Sequence, residues 1–159
     1  MKINFPKIET ALYLISTPIG TISDITFRAV NVLQNVNTLL AEDTRVLRKL
    51  MNLLDIDLEG RSIRSYNDNS GDEKRSNYIL ELDRNKSIAL CCDAGTPLIS
   101  DPGFKLVKQV LNKGHKVISI PGACSALVAL CQSGLSSDKF FLQGFHQLKQ
   151  NRKLTFLTI

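Results

Sequence analysis

Five short apolar runs, spread over the first 120 residues, constrain the fold more than any other feature of this sequence. They are residues 11–16, 38–41, 62–66, 88–92 and 116–120, of which the third is the weakest. Each gap between them is longer than the roughly dozen residues that a crossover between parallel strands needs. Near-continuous apolar strands are typical of parallel sheets covered by helices. The pattern therefore predicts an α/β fold, an open and mostly parallel five-stranded sheet with helices on both faces.

Small polar residues near the start of each gap predict where the helices begin. The candidate caps, in chain order, are Asp24 or Thr26, Asp43 or Thr44, Asp72, and Asp101. Pro102 directly after Asp101 suits the first helical position, which favours a capping role for Asp101. A fifth helix is expected from Ala123, with Leu127, Val128 and Cys131 on one buried face.

The cysteine pattern argues against a metal site or a disulfide. Cys91 and Cys92 end an apolar run, Cys124 and Cys131 lie seven apart in a helical pattern, and no C-x-x-C pair occurs. Such cysteines are predicted to be reduced core residues, with Cys124 and Cys131 on a buried helix face. We therefore expect no metal.

Charge is unevenly distributed along the chain, whose formal net charge is +5. Residues 1–80 hold ten Lys/Arg and ten Asp/Glu, whereas residues 102–159 hold eight Lys/Arg and a single acid, Asp138. A basic half suggests an anionic partner such as RNA, although an ordinary solvated basic surface remains an alternative. Apolar runs fall short of the roughly 18 residues that a membrane helix needs, and the N-terminus lacks a signal-peptide pattern, so we expect a cytoplasmic protein without membrane contact.

Three loops rich in Gly, Pro and small polar residues follow strands at one expected edge of the sheet. They are Thr17–Asp24, Asp93–Gly103 and Pro121–Ser125. Open α/β sheets bind ligands at this edge, so the three loops together predict a ligand site. Neither a G-x-G-x-x-G nor a P-loop is present, and the loops offer no evident nucleophile. Asp93 and Asp101 remain a possible carboxylate pair, but a turn anchor and a helix cap are the favoured interpretation.

The motifs in and around these loops resemble those of the ribosomal RNA small subunit methyltransferase I family, which belongs to the tetrapyrrole methylase-like superfamily. The matching stretches are Thr17–Gly20, Asp24–Thr26, Arg28–Ala29, Ala41–Arg45, Asp93–Gly103, Pro121–Ala126, Ser133–Leu135 and Gly144–Phe145. The resemblance covers about residues 11–153, and the D-A-G-T-P-L-I-S-D-P-G run is its most specific part.

The resemblance implies S-adenosyl-L-methionine-dependent 2′-O-methylation of a cytidine ribose in small-subunit ribosomal RNA of the 30S subunit, by a homodimer. The implied cofactor-binding residues are Pro18, Gly20, Asp93, Ala94, Gly95, Thr96, Pro97, Pro121, Gly122, Ser125 and Ala126. The implied substrate-side residues are Asp24, Glu42, Asp43 and Arg45. It assigns no catalytic residue, and a neighbouring family of corrin and porphyrin enzymes is disfavoured because those tend to carry an acid where this chain has Thr96.

The chain also departs from the family pattern. Thr21 and Ser23 replace the usual Asn and Gly, and Asn67–Asn69 stands where a His-Asn-Glu-like stretch is usual. Family members have a second domain of similar size, so we expect residues 1–138 to form the N-terminal α/β methylase domain and residues 139–159 to begin a truncated second one. A strand at Phe140–Leu142 and a basic run at Gln147–Lys153 would open it. Activity is then expected to be impaired, and a non-catalytic RNA-binding remnant remains an alternative.

Overall fold

A computed structural model describes residues 5–142 as a parallel sheet with helices on both of its faces. The strands are β1 (Leu12–Ile15), β2 (Thr38–Ala41), β3 (Ile63–Ser65), β4 (Ile88–Cys91) and β5 (Val117–Ile120). The helices are α1 (Phe27–Asn35), α2 (Thr44–Leu53), α3 (Asp72–Asp83), α4 (Phe104–Asn112) and α5 (Ser125–Ser133), with a 3-10 turn at Ile22–Asp24. All four strand pairings are parallel, in the order β3-β2-β4-β1-β5. The predicted fold class is confirmed.

The strand order creates a switch point between β1 and β4. The chain leaves β1 through α1 and passes over β4 to reach β2, whereas it leaves β4 through α4 and passes over β1 to reach β5. These two crossovers run in opposite directions, on opposite faces of the sheet. Ligands of open α/β sheets bind where neighbouring crossovers diverge in this way, outside the carboxyl ends of the strands.

Alternate side chains of the central strands pack into two separate hydrophobic cores, one on each face of the sheet. On one face Tyr13, Ile15 and Leu39 pack with residues of α1 and α2, and on the other Leu12 and Leu40 pack with residues of α3 and α4. Because side chains of a strand point alternately to the two faces, a strand buried on both must be apolar at every position. This explains why the strands read as continuous apolar runs.

Local hydrogen bonds explain where α1 and α2 begin. The Thr26 Oγ1 accepts the N–H of Ala29 at 3.1 Å, and the Asp43 Oδ1 accepts the N–H of Arg45 at 2.8 Å. Each bond satisfies one of the free N–H groups at a helix N-terminus. Thr26 rather than Asp24, and Asp43 rather than Thr44, are therefore the caps.

Two other predicted caps are wrong. Helix α3 includes Asp72 in its first turn and is preceded by Gly71, whereas α4 begins at Phe104 after Gly103, without a side-chain cap. Asp101 lies two residues too early to reach the first turn of α4, because the chain makes an additional turn at Gly103, whose φ is +138°. Asp101 is thereby free for contacts with the ends of neighbouring strands.

The last helix also departs from expectation. Leu127, Val128 and Cys131 are exposed, and no residue of α5 is buried. Helix α5 follows an edge strand, and it is the last helix before residue 142, so no later element within residues 5–142 covers it. Cys124 is half-buried, whereas Cys91 and Cys92 are buried as predicted.

The predictions for the end of the chain have mixed outcomes. Phe140–Leu142 does not form the predicted strand, and Gln147–Lys153 lies outside the described residues. Within residues 5–142, no helix has the length and apolar character needed to cross a membrane.

Candidate functional site

The loops that follow β1, β4 and β5 are tied together at the switch point. Thr17 and Gly95 form an isolated antiparallel bridge, in which the Thr17 N–H donates to the Gly95 carbonyl at 2.8 Å and the Gly95 N–H donates to the Thr17 carbonyl at 3.1 Å. The Thr96 hydroxyl donates to the Ala123 carbonyl at 3.1 Å. The Ser16 hydroxyl donates to Thr96 Oγ1 at 3.4 Å. Residues far apart in sequence thus form a single surface.

Two glycines permit this close approach. A Cβ atom at Gly122 would lie 2.8 Å from the Cβ of Ser16, which is closer than real Cβ contacts come. Gly95 has a φ of +91°, a conformation that residues with a side chain rarely adopt. The loops after β1 and β5 can therefore meet only because position 122 carries no side chain.

The residues predicted to bind a cofactor divide by exposure. Those exposed at the surface are Gly20, Asp93, Ala94, Pro121, Gly122 and Ser125, and those partly exposed are Pro18, Thr96 and Ala126. Gly95 and Pro97 are buried, and Gly95 joins the loops through its backbone. The exposed set offers backbone groups and small side chains to a ligand, whereas Gly95 and Pro97 shape the loop from within.

Three carboxylates, Glu42, Asp93 and Asp101, gather where β2 and β4 end. Partial burial, reinforced by the nearby charges of Asp101 and Asp93 and a hydrogen bond to Asp101, raises the pKa of Glu42. Burial also raises the pKa of Asp101, which lies near Cys92 and Glu42. The Asp93 Oδ1 accepts the N–H of Asp43 at 3.1 Å, which links the β4 loop to the start of α2. Asp101 thus belongs to an acidic cluster rather than to a helix cap.

This acidic cluster suits ligands with hydroxyl or ammonium groups, which donate hydrogen bonds to carboxylates. No group of three or more His, Cys, Asp or Glu within residues 5–142 has the arrangement of a metal site.

Cys92 is a buried neighbour of this cluster and is unsuited to act as a nucleophile. Its Sγ donates to the Gly95 carbonyl at 3.2 Å, and its own carbonyl accepts the Thr17 hydroxyl at 3.3 Å. Burial and the charge of Asp101 raise the pKa of the Cys92 thiol to about 12, so it stays neutral at physiological pH. Its contacts stabilise the turn that leads into the loop.

The substrate-side candidates other than Glu42 lie apart from the acidic cluster or on its border. The side chain of Asp43 pairs with the exposed guanidinium of Arg45, and hydrogen bonds from Arg45 lower the pKa of Asp43 to about 2. Asp24 is exposed at the end of the 3-10 turn. Asp43 therefore has a structural role as the cap of α2, whereas Arg45 and Asp24 remain available on the surface.

A cavity of about 160 Å³ lies between the β1 loop and α2. Pro18, Gly20 and Asp93 line it together with Val46 and Lys49 of α2. Pockets that enclose small-molecule ligands usually measure roughly 300–1,000 Å³. This cavity is therefore smaller than the pockets that usually enclose such ligands.

Sequence reasoning missed several residues of this surface. Ser16 is part of an apolar run, and Val46 and Lys49 lie in an ordinary helical pattern, so none carries a local signal of function. Each contacts residues that are about 30 to 106 positions away in the sequence, and only the fold brings these residues together.

The comparisons with known proteins agree with this architecture. The family model of tetrapyrrole (corrin/porphyrin) methylases matches residues 11–157. A solved structure of a conserved hypothetical protein from Aeropyrum pernix K1 superposes with a TM-score of 0.62 at 18% identity, covering 84% of this chain and 46% of the other. At that identity the superposition supports the fold alone.

Several curated relatives carry the name ribosomal RNA small subunit methyltransferase I. The relative from Mesorhizobium japonicum is 42% identical over 150 residues, which are 94% of this chain and 50% of the relative. The one from Pasteurella multocida is 42% identical over 143 residues, covering 89% of this chain and 50% of its own length. The one from Buchnera aphidicola subsp. Schizaphis graminum is 44% identical over 138 residues, covering 84% and 46%. The chain thus spans about half the length of these relatives.

Proposed function

The chain belongs to the tetrapyrrole (corrin/porphyrin) methylase family, and from that premise we propose that it forms the S-adenosyl-L-methionine-binding part of a ribosomal RNA methyltransferase. The proposed reaction is methylation of a ribose 2′-hydroxyl on a cytidine of small-subunit ribosomal RNA, in the cytoplasm. The similarity to relatives named ribosomal RNA small subunit methyltransferase I supports the RNA substrate over a tetrapyrrole.

One observation carries the proposal: hydrogen bonds join the loops after β1, β4 and β5 into one surface at the switch point. The Thr17–Gly95 bridge and the Thr96–Ala123 hydrogen bond hold the loops, so this surface is largely ordered before a ligand arrives. Pre-ordered loops reduce the entropy cost of binding. Exposed backbone at Ala94 and Gly122 lets a flat ligand approach without a side chain in the way.

The residues present fit the chemistry of S-adenosyl-L-methionine. That molecule has an adenine ring, ribose hydroxyls, an ammonium group and a sulfonium that supplies the methyl group. Backbone groups of Ala94 and of Pro121–Ser125 would border the adenosine part, and Asp93 offers a carboxylate to hydroxyl or ammonium donors. Positioning of two reactants, rather than covalent catalysis, is the chemistry such a site performs.

The remaining exposed candidates would face the RNA. Arg45 and Asp24 are exposed on the surface, and Lys49 of the cavity lining adds a second cation. A guanidinium and an ammonium group suit phosphate oxygens of an RNA backbone. We infer that residues from about 139 onward begin a second domain that supplies the other wall, and that the whole enzyme is a homodimer acting on the 30S subunit.

Calorimetry with S-adenosyl-L-methionine tests the cofactor site. We expect the 159-residue chain to bind weakly but saturably, and Ala94→Phe to abolish the signal by filling the exposed surface. Asn77→Phe, at an exposed position of α3, is the matched control, since it adds the same side chain outside the three loops. Absence of binding by the parent chain, or equal binding by both variants, would refute the cofactor site.

Transfer of a labelled methyl group from S-adenosyl-L-methionine tests the substrate. Unmethylated 30S subunits are incubated with the chain, and the RNA is digested and analysed for 2′-O-methylcytidine. Since the described surface is one wall only, we expect slow transfer or none by this chain and product formation by a version extended to the length of its relatives. Methylation of uroporphyrinogen but not of 30S subunits by the extended version would overturn the RNA substrate.

A further inference from the structure

The loop between β3 and α3, at the same edge of the sheet as the three site loops, contacts the far end of the β4 loop. The Oδ1 of Asp68 accepts the N–H of Gly103 at 3.1 Å and the hydroxyl of Tyr66 at 3.2 Å. Asp68 and Gly103 are 35 residues apart, so this bond joins two separate loops. It is the counterpart, at the rear of the β4 loop, of the Thr17–Gly95 bridge at its front.

Asp68 is itself held by a buried cation. Arg75 is 6% exposed, and its guanidinium donates to the carbonyls of Asp68 at 3.5 Å and of Ser70. The Lys105 ammonium, on α4, also donates to the Asp68 carbonyl at 3.1 Å. Because side chains of two helices bind the Asp68 carbonyl, the Asp68 carboxylate has a fixed position relative to Gly103.

Tyr66 fixes the carboxylate from the other side. Its side chain is fully buried and packs edge-to-face on Tyr78, with ring centroids 6.2 Å apart. Burial and the neighbouring Asp68 raise the pKa of Tyr66 to about 12, so the phenol keeps its proton and remains a donor at neutral pH. The Tyr66 hydroxyl therefore holds the Asp68 Oδ1 in place while that oxygen accepts the Gly103 N–H.

The β4 loop needs an anchor at Gly103 because its backbone is strained before that point. Leu98 and Ser100 have φ values of +72° and +66°, which cost conformational energy for residues with a side chain. Gly103 itself turns so tightly that a Cβ there would lie 2.7 Å from Leu90 Cδ2 and 3.1 Å from Leu98 Cδ1. Without an anchor at its rear, the segment between Thr96 and Gly103 would relax toward ordinary backbone angles.

We propose that Asp68 is a positioning residue for the cofactor-binding loop, holding residues 96–103 in their strained conformation through its bond to the Gly103 N–H. The loop's role as a cofactor site rests on the function proposed above, whereas the anchoring itself does not. Asp68 touches no reacting group in this scheme and acts through the backbone of the loop.

Amide hydrogen exchange of the 159-residue chain, resolved by NMR, tests the anchor directly. In Asp68→Ala we expect the Gly103 amide to exchange about tenfold faster, the effect of removing a charge-assisted hydrogen bond. Asp68→Asn keeps a carbonyl oxygen at the same position and should restore most of the protection. The Val36 amide, which donates to the Val32 carbonyl at 3.0 Å in the other core, is the control and should change less than Gly103 in either variant.

Affinity for S-adenosyl-L-methionine, measured by calorimetry on the same proteins, tests the positioning role. We expect Asp68→Ala to bind about tenfold more weakly and Asp68→Asn nearly as tightly as the parent chain. Unchanged Gly103 exchange in Asp68→Ala, or a parallel rise at Val36, would overturn the anchor. Faster Gly103 exchange with unchanged affinity would overturn the positioning role. If the parent chain binds no S-adenosyl-L-methionine, the proposed function fails, and the exchange data still decide whether Asp68 anchors the loop.

Discussion

Single residues decide how closely the loops of the candidate site can approach each other. Ser16 and Gly122 pack so tightly that a methyl group at position 122 has no space. Ser16 is 3% exposed and its N–H donates to the Ile120 carbonyl at 3.2 Å, so its backbone cannot retreat without breaking the end of the sheet. A larger residue at position 122 would therefore displace the loops of the candidate site.

We expect Gly122→Ala to lower the free energy of unfolding by about 1–3 kcal/mol, the usual cost of overpacking. Urea unfolding followed by circular dichroism measures the change. Gly20→Ala is the matched control, since a Cβ at Gly20 meets no atom of residues 5–142 within 4 Å, and its effect should be small. Equal destabilisation by both substitutions would contradict the close-packing explanation.

The acidic cluster makes a further prediction about pH. The pKa of Glu42 is raised in the folded chain, so between its unfolded value and the raised value the folded chain holds more protons than the unfolded chain. The free energy of unfolding therefore falls as pH rises through this window, and the loss persists at pH 7. Glu42→Gln should stabilise the fold at pH 7 and have no effect below about pH 4, where unfolded carboxyl groups are protonated.

Chemical unfolding of the parent chain and Glu42→Gln at pH 3.5 and pH 7 measures this difference. Solvent screens Glu42, which is exposed as a residue, so the gain should be modest. Glu73→Gln, in the first turn of α3, is the control and should bring no gain. A gain of the same size at both pH values would mean that the ionisation of Glu42 is not its cause.

At the scale of elements, the helix starts depend on single side-chain hydrogen bonds. Thr26→Ala removes the acceptor for the Ala29 N–H at the start of α1 and should lower the free energy of unfolding by about 1 kcal/mol. Thr26→Ser keeps a hydroxyl there and should lose much less. Thermal unfolding of the two variants distinguishes the cap from the packing of the threonine methyl group, which both substitutions remove.

The sequence was sufficient to predict elements whose signal is local. The five strands and the cap at Asp43 follow from apolar runs and from a short polar residue before a helix. Asp101 misled the prediction because Asp followed by Pro indicates a helix start, while the turn at Gly103 delays the helix until Phe104. Nothing local announces that Asp68 bonds to Gly103 or that Ser16 lies beneath Gly122. The three loops of the candidate site were predictable because each follows a strand of an expected parallel sheet, but the contacts that join them were not.

At the scale of the whole molecule, α5 leaves an apolar surface open. Leu127 is 48% exposed and Val128 is 42% exposed, and Leu135 beyond the helix is exposed as well. Exposed apolar side chains of this kind promote association. We expect the 159-residue chain to associate as its concentration rises and Leu127→Lys to reduce that association, as measured by sedimentation velocity.

Leu80→Lys provides the control for this prediction. Leu80 is 49% exposed, so Leu80→Lys adds the same charge at a position as exposed as Leu127. It lies on α3, on the other side of the sheet from the core formed by α1 and α2. Association that falls equally in both variants would show that added charge, and not the α5 surface, is responsible.

The strand order also determines when the site can exist during synthesis. A ribosome releases β1 and β2 first, yet these strands are not neighbours in the sheet, because β4 lies between them. β1 and β2 can therefore pair with β4, the strand between them, only after residues 88–91 have been synthesised. The same strand leads into the loop that carries Asp93 and Thr96, so pairing of the central strands and formation of the candidate site depend on one late-synthesised segment.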